Sequence, residues 1–465
     1  MRKSKMGPDH QIPRRSFLGA AAAAVLAGSS ARASRQQRPN VIYAFSDEHR
    51  WQSMSFTEMP SVKTPHMAQL AADGVEFTHC ISNYPVCSPH RAILLTGRWP
   101  YQHGVIDNGI PLSPDEVTIG KVFQQTGYHT GYIGKWHLGG TRAEPFGFHD
   151  SLIWSDTNVH WDKSSYFPKD SPAVAPKGYN ATLMTDQAVE FIRENRRQPF
   201  FLMISWNPPH SNFTDAPPDK LAMYPVGSLP LRPNARVMDD GFKTEGDHVL
   251  HIPDGATHQG YHAHISAIDD QLGRLLATLE ELDLADNTIL VYSSDHGSMM
   301  GSHDLGSKRQ PYEESIRVPF LLRGPGMRRD SAKIDALFGT IDVMPTLCSL
   351  AGLNIPIRCA GKDFSAHMRG GRGPDPASQL IMHISKQNAS GGEKHPAPIF
   401  RGLRTKRYTY AVREEGPWLL FDNHQDPYQL DNLIDDPKYA RLRQKLTSNL
   451  QVSLRNAHDP FEMPA

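Results

Sequence analysis

The chain has 465 residues, of which 39% are hydrophobic, so it is long enough for one large domain and a smaller one. Lys and Arg together number 49, as do Asp and Glu, but residues 1–33 hold six of the basic residues and one acidic residue. The rest of the chain is therefore mildly acidic without a basic stripe, which argues against a nucleic-acid partner and favours a small or locally charged ligand.

The amino terminus resembles a twin-arginine export signal. The pair Arg14-Arg15 precedes an Ala-rich apolar run over residues 17–27, and residues 31–33 read Ala-Arg-Ala, which suits a cleavage site. We therefore predict a signal over residues 1–33, which implies the twin-arginine export machinery and a periplasmic or secreted protein. The apolar run is shorter than the roughly 20 residues of a membrane-spanning helix, so a stable membrane anchor is the lesser alternative.

Four short apolar runs end abruptly at polar residues, which is typical of strands buried on both faces. The polar segments that follow them are Ser46-Asp47-Glu48, Gly134-Lys135-Trp136-His137, Asn207-Pro208-Pro209-His210 and Ser293-Ser294-Asp295-His296. Helical spacing lies between the runs, for example from Ile265 to Leu279. We predict an α/β sheet, in which ligands collect beyond the carboxyl ends of the strands and these polar residues converge.

Residues 87–98 predict a short helix with one potential nucleophile at its amino terminus. Ser88 fits the N-cap, Pro89 the first helical position and Gly97 the end of the helix. Cys87 would then lie where unpaired N–H groups and the helix dipole favour an anion. A buried structural cysteine is the alternative, because so short a pattern recurs by chance. The four cysteines are too few for a disulfide scaffold, although Cys348 and Cys359 can pair after export.

Carboxylates, cations and imidazoles make up the predicted site. Asp47, Glu48, Asp295 and His296 can meet at a divalent cation, and hard oxygen ligands favour Ca²⁺, Mg²⁺ or Mn²⁺. Taken singly, aspartates at strand ends also serve as loop caps. Positive charge comes from Arg91, Lys135 and Lys308, and groups that titrate near neutrality are His137 and His210. We assign His90, His103, His262 and His264 to ordinary surface or loop positions.

Beyond about residue 365 the alternation of buried strands and helices gives way to a turn-rich segment. The Gly- and Pro-rich segment 369–376 marks a junction between two units, with a long surface loop in one domain as the alternative. Residues 407–412 and 418–421 predict antiparallel strands, and residues 439–450 predict a closing helix, so we expect a small α+β subdomain. Earlier in the chain, the Pro-rich stretch 215–255 predicts either a lid or substrate wall, or a solvated insertion.

In this order the motifs resemble a type I sulfatase of the alkaline phosphatase superfamily. The resemblance covers about residues 38–465 and rests on an ordered set of motifs: Arg38-Pro39-Asn40, Cys87-x-Pro89-x-Arg91 with Leu95-Thr96-Gly97, Gly134 to Gly139, Ser294 to Gly297, Tyr312 to Ser315 with Arg317-Val318-Pro319, and Asp422 to Leu433. It implies a catalytic domain over 38–368, with an alkaline phosphatase-like central mixed sheet flanked by helices, and a C-terminal α+β subdomain over 377–465.

The resemblance also implies a mechanism. In that family a maturation enzyme oxidises the cysteine, here Cys87, to formylglycine; one hydroxyl of its hydrate attacks sulfur, the alcohol leaves, and the second hydroxyl expels inorganic sulfate. By the same resemblance, Ca²⁺ rather than Mg²⁺ or Mn²⁺ is held by Asp47, Glu48, Asp295 and His296 together with residue 87. Arg91 and Lys135 steady the formylglycine, and His137 takes the proton of the second hydroxyl. Lys308 and His210 bind sulfate and assist departure of the alcohol.

Two residues depart from the family pattern. Glu48 stands where many relatives have aspartate, and its extra methylene can shift the metal or leave Glu48 outside the ligand set. His296 stands where many have asparagine, so the metal's identity stays open. One alternative function is a phosphonate monoester or phosphodiester hydrolase of the same superfamily, because the fold does not choose between phosphorus and sulfur. The other is a non-catalytic exported metal- or glycan-binding protein with an unmodified Cys87. Sulfated carbohydrate is the expected substrate.

Overall fold

The computed structural model describes residues 38–154, 158–162, 165–175, 177–237, 243–245, 248–250, 253–385 and 398–463. The predicted export signal over residues 1–33 lies outside the described residues. Among those described, no helix combines the length and the apolar character that crossing a membrane requires.

The strands form one large sheet, one small C-terminal sheet and two minor ones. They are β1 (Asn40–Asp47), β2 (Val75–Phe77), β3 (Cys80–Ile81), β4 (His129–Lys135), β5 (Asp150–Trp154), β6 (Tyr166–Pro168), β7 (Phe200–Pro209), β8 (Lys243–Glu245), β9 (His248–Leu250), β10 (Thr288–Ser294), β11 (Arg317–Val318), β12 (Phe320–Arg323), β13 (Ala332–Ile334), β14 (Phe338–Gly339), β15 (Ser378–His383), β16 (Phe400–Thr405), β17 (Tyr408–Arg413) and β18 (Gly416–Asp422).

The helices cover both faces of the large sheet and one face of the small one. They are α1 (Pro65–Ala72), α2 (Cys87–Thr96), α3 (Pro100–His103), α4 (Ile119–Gln125), α5 (Asn180–Asn195), α6 (Pro218–Ala222), α7 (Gly255–Glu281), α8 (Glu313–Ile316), α9 (Val343–Leu350), α10 (Ser365–Met368) and α11 (Ala440–Asn456). Single 3-10 turns lie at 144–146, 213–215, 285–287, 340–342 and 437–439.

The large sheet is mixed, as the resemblance implies. Its strand order is β13-β2-β12-β10-β1-β7-β4-β5-β6, and the run from β10 to β5 is parallel. Strand β1 shows why its sequence is an unbroken apolar run: Val41, Tyr43 and Phe45 pack into the core on one face, while Ile42 and Ala44 pack into the core on the other. The four predicted buried strands are all present, as β1, β4, β7 and β10.

The small C-terminal sheet is an antiparallel meander of β15 to β18. Both strands predicted there are found, as β17 and β18, whereas β15 and β16 were not predicted. Helix α11 covers this sheet with Leu446, Leu450 and Leu454, which share one face at four-residue spacing and pack in one cluster with residues of the sheet. Packing joins residues 39–465 into one unit, so the boundaries at 368 and 377 stay predictions.

A buried ion pair links helix α8 to the small C-terminal sheet. Arg404 on β16 reaches Glu313 at the start of α8 with two contacts, Nε to Oε1 at 2.6 Å and Nη2 to Oε2 at 2.9 Å. Burial raises the pKa of Glu313, but the charge and hydrogen bonds of Arg404, together with the charges of Arg317 and His79, outweigh burial and bring that pKa down to about 2. The glutamate is therefore ionised in the folded protein at neutral pH.

We expect Arg404→Met to lower the free energy of unfolding by no more than about 3–5 kcal/mol at pH 7, because it leaves the buried Glu313 carboxylate with only the longer contact to Arg317 Nη1, at 3.7 Å. The folded-state pKa of Glu313, about 2, lies below its unfolded value of about 4.3. The stability that the pair supplies is therefore full above the unfolded value and is lost as pH falls towards 2. Urea unfolding of both proteins between pH 7 and pH 3 measures this.

The control for this prediction is Arg328→Met, which removes the exposed pair between Arg328 and Asp330. Exposed pairs contribute little, so this variant should unfold close to the wild type at every pH. Equal losses in the two variants, or a loss in Arg404→Met that does not shrink as pH falls, would contradict the assignment of Glu313.

Candidate active site

Two aspartates lie side by side at the carboxyl ends of neighbouring strands. Strands β1 and β10 run parallel with Ser46 opposite Ser294, so the residues that follow, Asp47 and Asp295, are adjacent. Both side chains are fully buried. Two buried carboxylates repel each other, so the site needs positive charge close to them.

Arg91 supplies the first part of that charge. One nitrogen of its guanidinium lies 3.2 Å from Asp47 Oδ2 and 3.0 Å from Asp295 Oδ2, and the other donates to Lys135 O and Ser205 Oγ, both at 2.6 Å. The Lys135 ammonium adds a contact of 2.9 Å to Asp47 Oδ2. Burial raises the pKa of Asp47, but the charge of Lys135 and the other cations outweighs it and leaves that pKa well below its usual range.

Helix α2 begins at Cys87 itself, which corrects the prediction that Ser88 is the N-cap. The N-cap is Val86, without a side-chain cap bond. The Ser88 hydroxyl instead donates to His137 O at 2.5 Å, and the Ser88 N–H is satisfied by Asn108 Oδ1 at 3.0 Å. Ser88 therefore ties the end of β4 to the helix. The predicted helix end is found at Gly97, with a φ of 61°.

The Cys87 side chain contacts three different segments. Its Sγ lies 3.3 Å from His296 Nε2, 3.5 Å from Lys308 Nζ and 3.7 Å from Asp47 Oδ1. Burial and Asp47 raise the pKa of the thiol, but Lys308, Lys135 and His296 together outweigh them and hold it well below its usual range. Position 87 therefore favours a negatively charged atom.

Four donors are grouped closely enough to hold a metal ion. One ligand atom each from Asp47, Cys87, Asp295 and His296 lies within 4.8 Å of the others, and all four residues are buried. His296 Nδ1 contacts Gly297 O at 3.0 Å, which leaves Nε2 to face the group. Carboxylate oxygens with one imidazole suit a hard or borderline divalent cation, and a cation between the two aspartates would relieve their repulsion. The donor set fits the implied metal.

Glu48 lies next to this group, with Lys308 and His210 beside its carboxylate. Its Oε2 is 3.3 Å from Lys308 Nζ and 3.7 Å from His210 Nε2. A second set of potential donors, Asp47, Glu48 and His210, also falls within 4.8 Å. The Lys308 ammonium lies close both to the Glu48 carboxylate, at 3.3 Å, and to Cys87 Sγ, at 3.5 Å, so it borders both sets of donors.

The contacts above bring nearly all predicted site residues together, from segments far apart in the chain. They connect Asp47, Glu48, Cys87, Arg91, Lys135, His210, Asp295, His296 and Lys308. His137 lies just beyond β4, and its carbonyl is held by Ser88. The sequence did not single out Ser205 or Asn108; the available signal for Ser205 was a polar residue inside an apolar run.

The four histidines assigned to surface or loop positions are buried, which corrects that assignment. His90, His103, His262 and His264 are at most 6% exposed. His262, for example, contacts His258 O at 2.8 Å and Ser53 Oγ at 3.3 Å. Burial lowers the pKa of all four, so they are neutral imidazoles, which a protein interior accepts when they are hydrogen-bonded.

Other predictions concern the cysteines and the Pro-rich stretch. Cys348 and Cys359 are both free in the structure.

Within the stretch 215–255, Asp215 accepts from His160 Nδ1 at 2.5 Å, and Arg232 contacts Glu314 at 3.0 Å. The described part of the stretch is therefore tied to the main body at two points, and its role as lid, wall or insertion stays a prediction.

Comparisons with known proteins agree with this geometry. The family described as Sulfatase matches residues 39–353, and the one described as N-sulphoglucosamine sulphohydrolase, C-terminal, matches residues 301–456. The chain is 35% identical to an ulvan-active sulfatase of Formosa agariphila over 91% of this chain and 83% of that one. It is 28% identical to an endo-4-O-sulfatase of Bacteroides thetaiotaomicron, over 92% and 94%. A structure solved in complex with its substrate D-glucosamine-2-N,6-O-disulfate aligns with a TM-score of 0.81 at 25% identity, over 91% and 99%.

In the metal-free protein, we expect added Ca²⁺ to raise Tm more at pH 7.5 than at pH 5. Burial and the charge of Asp47 raise the pKa of Asp295 to about 6. Burial and the charge of Lys308 lower the pKa of His296, but Asp295 and Cys87 together outweigh them and raise that pKa to about 9. Both protons must leave before the two residues bind a cation, so the cation binds more tightly as pH rises. Thermal unfolding with and without CaCl₂ measures the shift.

The direction in which stability changes with pH at Asp295 follows from the difference between its folded and unfolded pKa values. Its folded-state pKa of about 6 lies above the unfolded value of about 3.9, so the metal-free protein has this group's stability in full below pH 4 and loses it as pH rises through 6. Asp295→Asn should abolish the Ca²⁺ effect. An equal rise in Tm at both pH values, or the same rise with NaCl at matched ionic strength, would contradict the assignment.

Proposed function

The chain belongs to the sulfatase family and is a sulfuric ester hydrolase, and from this premise we propose that it hydrolyses a sulfate ester on a carbohydrate through a formylglycine hydrate derived from Cys87. The observation that carries the proposal is the position of the Cys87 side chain. Its sulfur lies within 3.7 Å of a carboxylate and an imidazole of the cation group and also of the Lys308 ammonium. An atom at this position can contact a metal and an anionic substrate together.

The proposal requires that Cys87 is modified before catalysis. The change is a two-electron oxidation at Cβ by a maturation enzyme: water replaces the thiol, hydrogen sulfide leaves, two electrons and two protons pass to the oxidant of the maturation enzyme, and an aldehyde remains. When hydrated, this group supplies a hydroxyl that attacks the sulfur of the ester and a second hydroxyl whose loss of a proton expels sulfate. Maturation in the cytoplasm would suit a twin-arginine signal, because that route carries folded proteins.

Arg91 and Lys135 orient the reacting group. Arg91 is held by its contacts with both aspartates, Lys135 O and Ser205 Oγ, and it lies over the Phe45 ring at 5.0 Å from its centroid. Such a fixed guanidinium keeps Asp47 and Asp295 in place beside residue 87. We assign His137, which is joined to α2 through Ser88, the removal of the proton from the second hydroxyl.

We assign the binding of the substrate's sulfate group to Lys308 and His210. Lys308 Nζ is within 3.5 Å of the Cys87 sulfur, so it can reach an anion that lies next to residue 87. Burial lowers the pKa of His210, and Lys308 and Lys135 lower it further. His210 is therefore a neutral imidazole near neutral pH, able to donate a hydrogen bond as the alcohol departs.

Asp47, Glu48, Asp295 and His296, with residue 87, would hold a divalent cation, for which Ca²⁺ is the first choice and Mg²⁺ or Mn²⁺ are less favoured. The cation would act as a Lewis acid on the sulfate oxygens and balance the two aspartates. Sulfated carbohydrate is proposed as the substrate because the ulvan-active sulfatase, the endo-4-O-sulfatase and the glucosamine disulfate complex are named for such molecules. The signal over 1–33 supports a periplasmic or secreted location.

We expect the exported protein to carry formylglycine at position 87 and to release sulfate from an aryl sulfate. Intact and peptide mass spectrometry detects the loss of the cysteine sulfur, and a sulfate-release assay on the same sample detects turnover. Cys87→Ala should abolish turnover, because it removes the only group proposed to attack the ester. Cys359→Ala, at a half-buried free cysteine, is the matched control and should keep full activity.

Two results would count against the proposal. An unmodified thiol at Cys87 together with sulfate release would exclude the formylglycine mechanism. An unmodified thiol, no turnover and tight binding of a glycan would favour the non-catalytic binding protein.

We further expect hydrolysis of an aryl sulfate to exceed that of an aryl phosphonate or an aryl phosphodiester with the same leaving group. All three place a tetrahedral anionic centre beside the cation, so the fold alone does not choose between them. The measurement is kcat/KM for the three esters on one preparation, with the Cys87→Ala protein as the blank. A higher kcat/KM for either phosphorus ester would replace the sulfatase assignment with the corresponding hydrolase.

A further inference from the structure

Two histidines and an aspartate meet at a place that the proposed function does not use. His160 Nδ1 lies 2.5 Å from Asp215 Oδ1, and His264 Nε2 lies 3.4 Å from the same oxygen. One donor atom from each residue lies within 4.8 Å of the others, in a group separate from the two groups that contain Asp47. His160 lies between β5 and β6, Asp215 follows β7, and His264 is on α7. This histidine cluster therefore joins three segments of the chain.

The Asp215 carboxylate offers one of its oxygens to the histidine cluster. Its other oxygen, Oδ2, accepts from the His160 N–H at 3.1 Å, and the Asp215 carbonyl accepts from Trp161 Nε1 at 2.6 Å. Burial raises the pKa of Asp215, but hydrogen bonds from His160 and His264 outweigh burial and hold that pKa below its usual range. Asp215 is therefore an ionised carboxylate whose Oδ1 faces both imidazoles.

A fourth donor is the carbonyl of Asn212, which lies 3.1 Å from His264 Nε2. Two ligands of a tetrahedral zinc ion lie about 3.3 Å apart, since each is about 2.0–2.1 Å from the metal. The contacts of His264 Nε2, at 3.1 Å with Asn212 O and 3.4 Å with Asp215 Oδ1, match this spacing. The His160 contact with Asp215 would lengthen by less than about 1 Å. The four donors thus lie close to the arrangement that a tetrahedral ion requires.

The outer nitrogens of both imidazoles also have neighbours that suit metal binding. His264 Nδ1 lies 2.7 Å from Tyr179 Oη, and His160 Nε2 lies 2.9 Å from Asn207 Nδ2. Asn207 is fully buried, and its Oδ1 has no hydrogen-bond partner among the described residues. An imidazole that binds a metal through Nδ1 carries its proton on Nε2 and donates it to a neighbouring acceptor. With its amide turned over, Asn207 accepts that proton through Oδ1, so metal binding gives the buried oxygen a partner.

We propose that His160, Asp215 and His264, with the carbonyl of Asn212, bind a structural Zn²⁺ ion at a site distinct from the catalytic cation. Two imidazole nitrogens suit zinc, whereas Ca²⁺ prefers six to eight oxygen ligands. The protein supplies all four ligands, as in structural zinc sites. The ion would fix the start of the Pro-rich stretch 215–255 against α7. The inference does not rest on the proposed function.

The test is calorimetry with ZnCl₂ on the full exported chain, freed of metal and then kept in excess CaCl₂. Cys87→Ala is the parent protein, because it removes the thiol that zinc would favour at the catalytic site, while CaCl₂ fills that site. The parent should bind one Zn²⁺ per protein. His264→Gln and Asp215→Asn, each made in the parent, should weaken zinc binding at least about 100-fold, because each removes a ligand. ZnCl₂ should raise the Tm of the parent and leave that of both variants unchanged.

The matched control is His129→Gln in the same parent. His129 also pairs with an aspartate, Asp150 at 2.5 Å, but it belongs to none of the donor groups found among the described residues. This variant should bind zinc as the parent does. If His264→Gln is unfolded, Asp215→Asn provides the comparison, because its amide oxygen can still accept from the His160 N–H. Co²⁺ in place of Zn²⁺ should give the visible absorption of a four-coordinate ion in the parent and not in the two ligand variants.

Two outcomes overturn the inference. The first is a parent protein that binds no zinc, which would leave the histidine cluster as a hydrogen-bonded network with a protonated His160 as the partner of Asn207 Oδ1. The second is equal zinc affinity in the parent, His264→Gln and Asp215→Asn, which would place the ion elsewhere. Neither measurement involves turnover. Failure of the proposed function would instead appear as a wild-type protein that carries formylglycine and releases no sulfate.

Discussion

The parallel pairing of β1 with β10 forces Asp47 and Asp295 to lie side by side, and the rest of the site follows from that constraint. Taking each carboxylate out of water costs several kcal/mol, and their mutual repulsion adds to that cost. Arg91 offsets it by contacting both, and Lys135 contacts Asp47 from a third strand. The charges are therefore arranged for the chemistry of the site rather than for stability, since apolar residues at these positions would be cheaper to bury.

The turn after β1 is held by hydrogen bonds of Tyr261 and His49. Helix α7 passes beneath the turn after β1, where Tyr261 accepts from the Arg50 N–H and donates to Glu48 O. His49 contacts Tyr292 Oη at 2.8 Å and Ser53 O at 3.2 Å, and burial lowers its pKa to about 4. An uncharged imidazole can fill such a position without adding a further charge to an already charged neighbourhood. This support fixes the turn and, with it, the direction in which Glu48 and Asp47 diverge.

The sequence predicted those features that depend on local pattern. The buried strands were recognised because β1, β4, β7 and β10 are apolar on both faces, and the site residues because they follow those strands directly. Strand β16 was missed because it contains Arg401 and Arg404, which are buried because Asp459 and Glu313 pair with them. Strand β15 was missed because its ends carry the polar residues Gln379 and His383, which are also buried. The role of Ser88 was predicted wrongly for the same kind of reason. Its tertiary partners, His137 O and Asn108 Oδ1, compete with the local capping bond that the sequence favours.

The C-terminal sheet acts on the chemistry through the loop that carries Lys308. That loop leaves β10 after Asp295 and returns at α8, and it is closed at its base by a bond of 2.9 Å from Gly297 N to Ser315 O. Beside this bond, Glu313 is held by Arg404, and its N–H donates to Gln429 Oε1 at 3.0 Å. Both partners belong to the C-terminal part of the chain. Loss of that part would therefore free one end of the loop, and Lys308 would lose its fixed distance from residue 87.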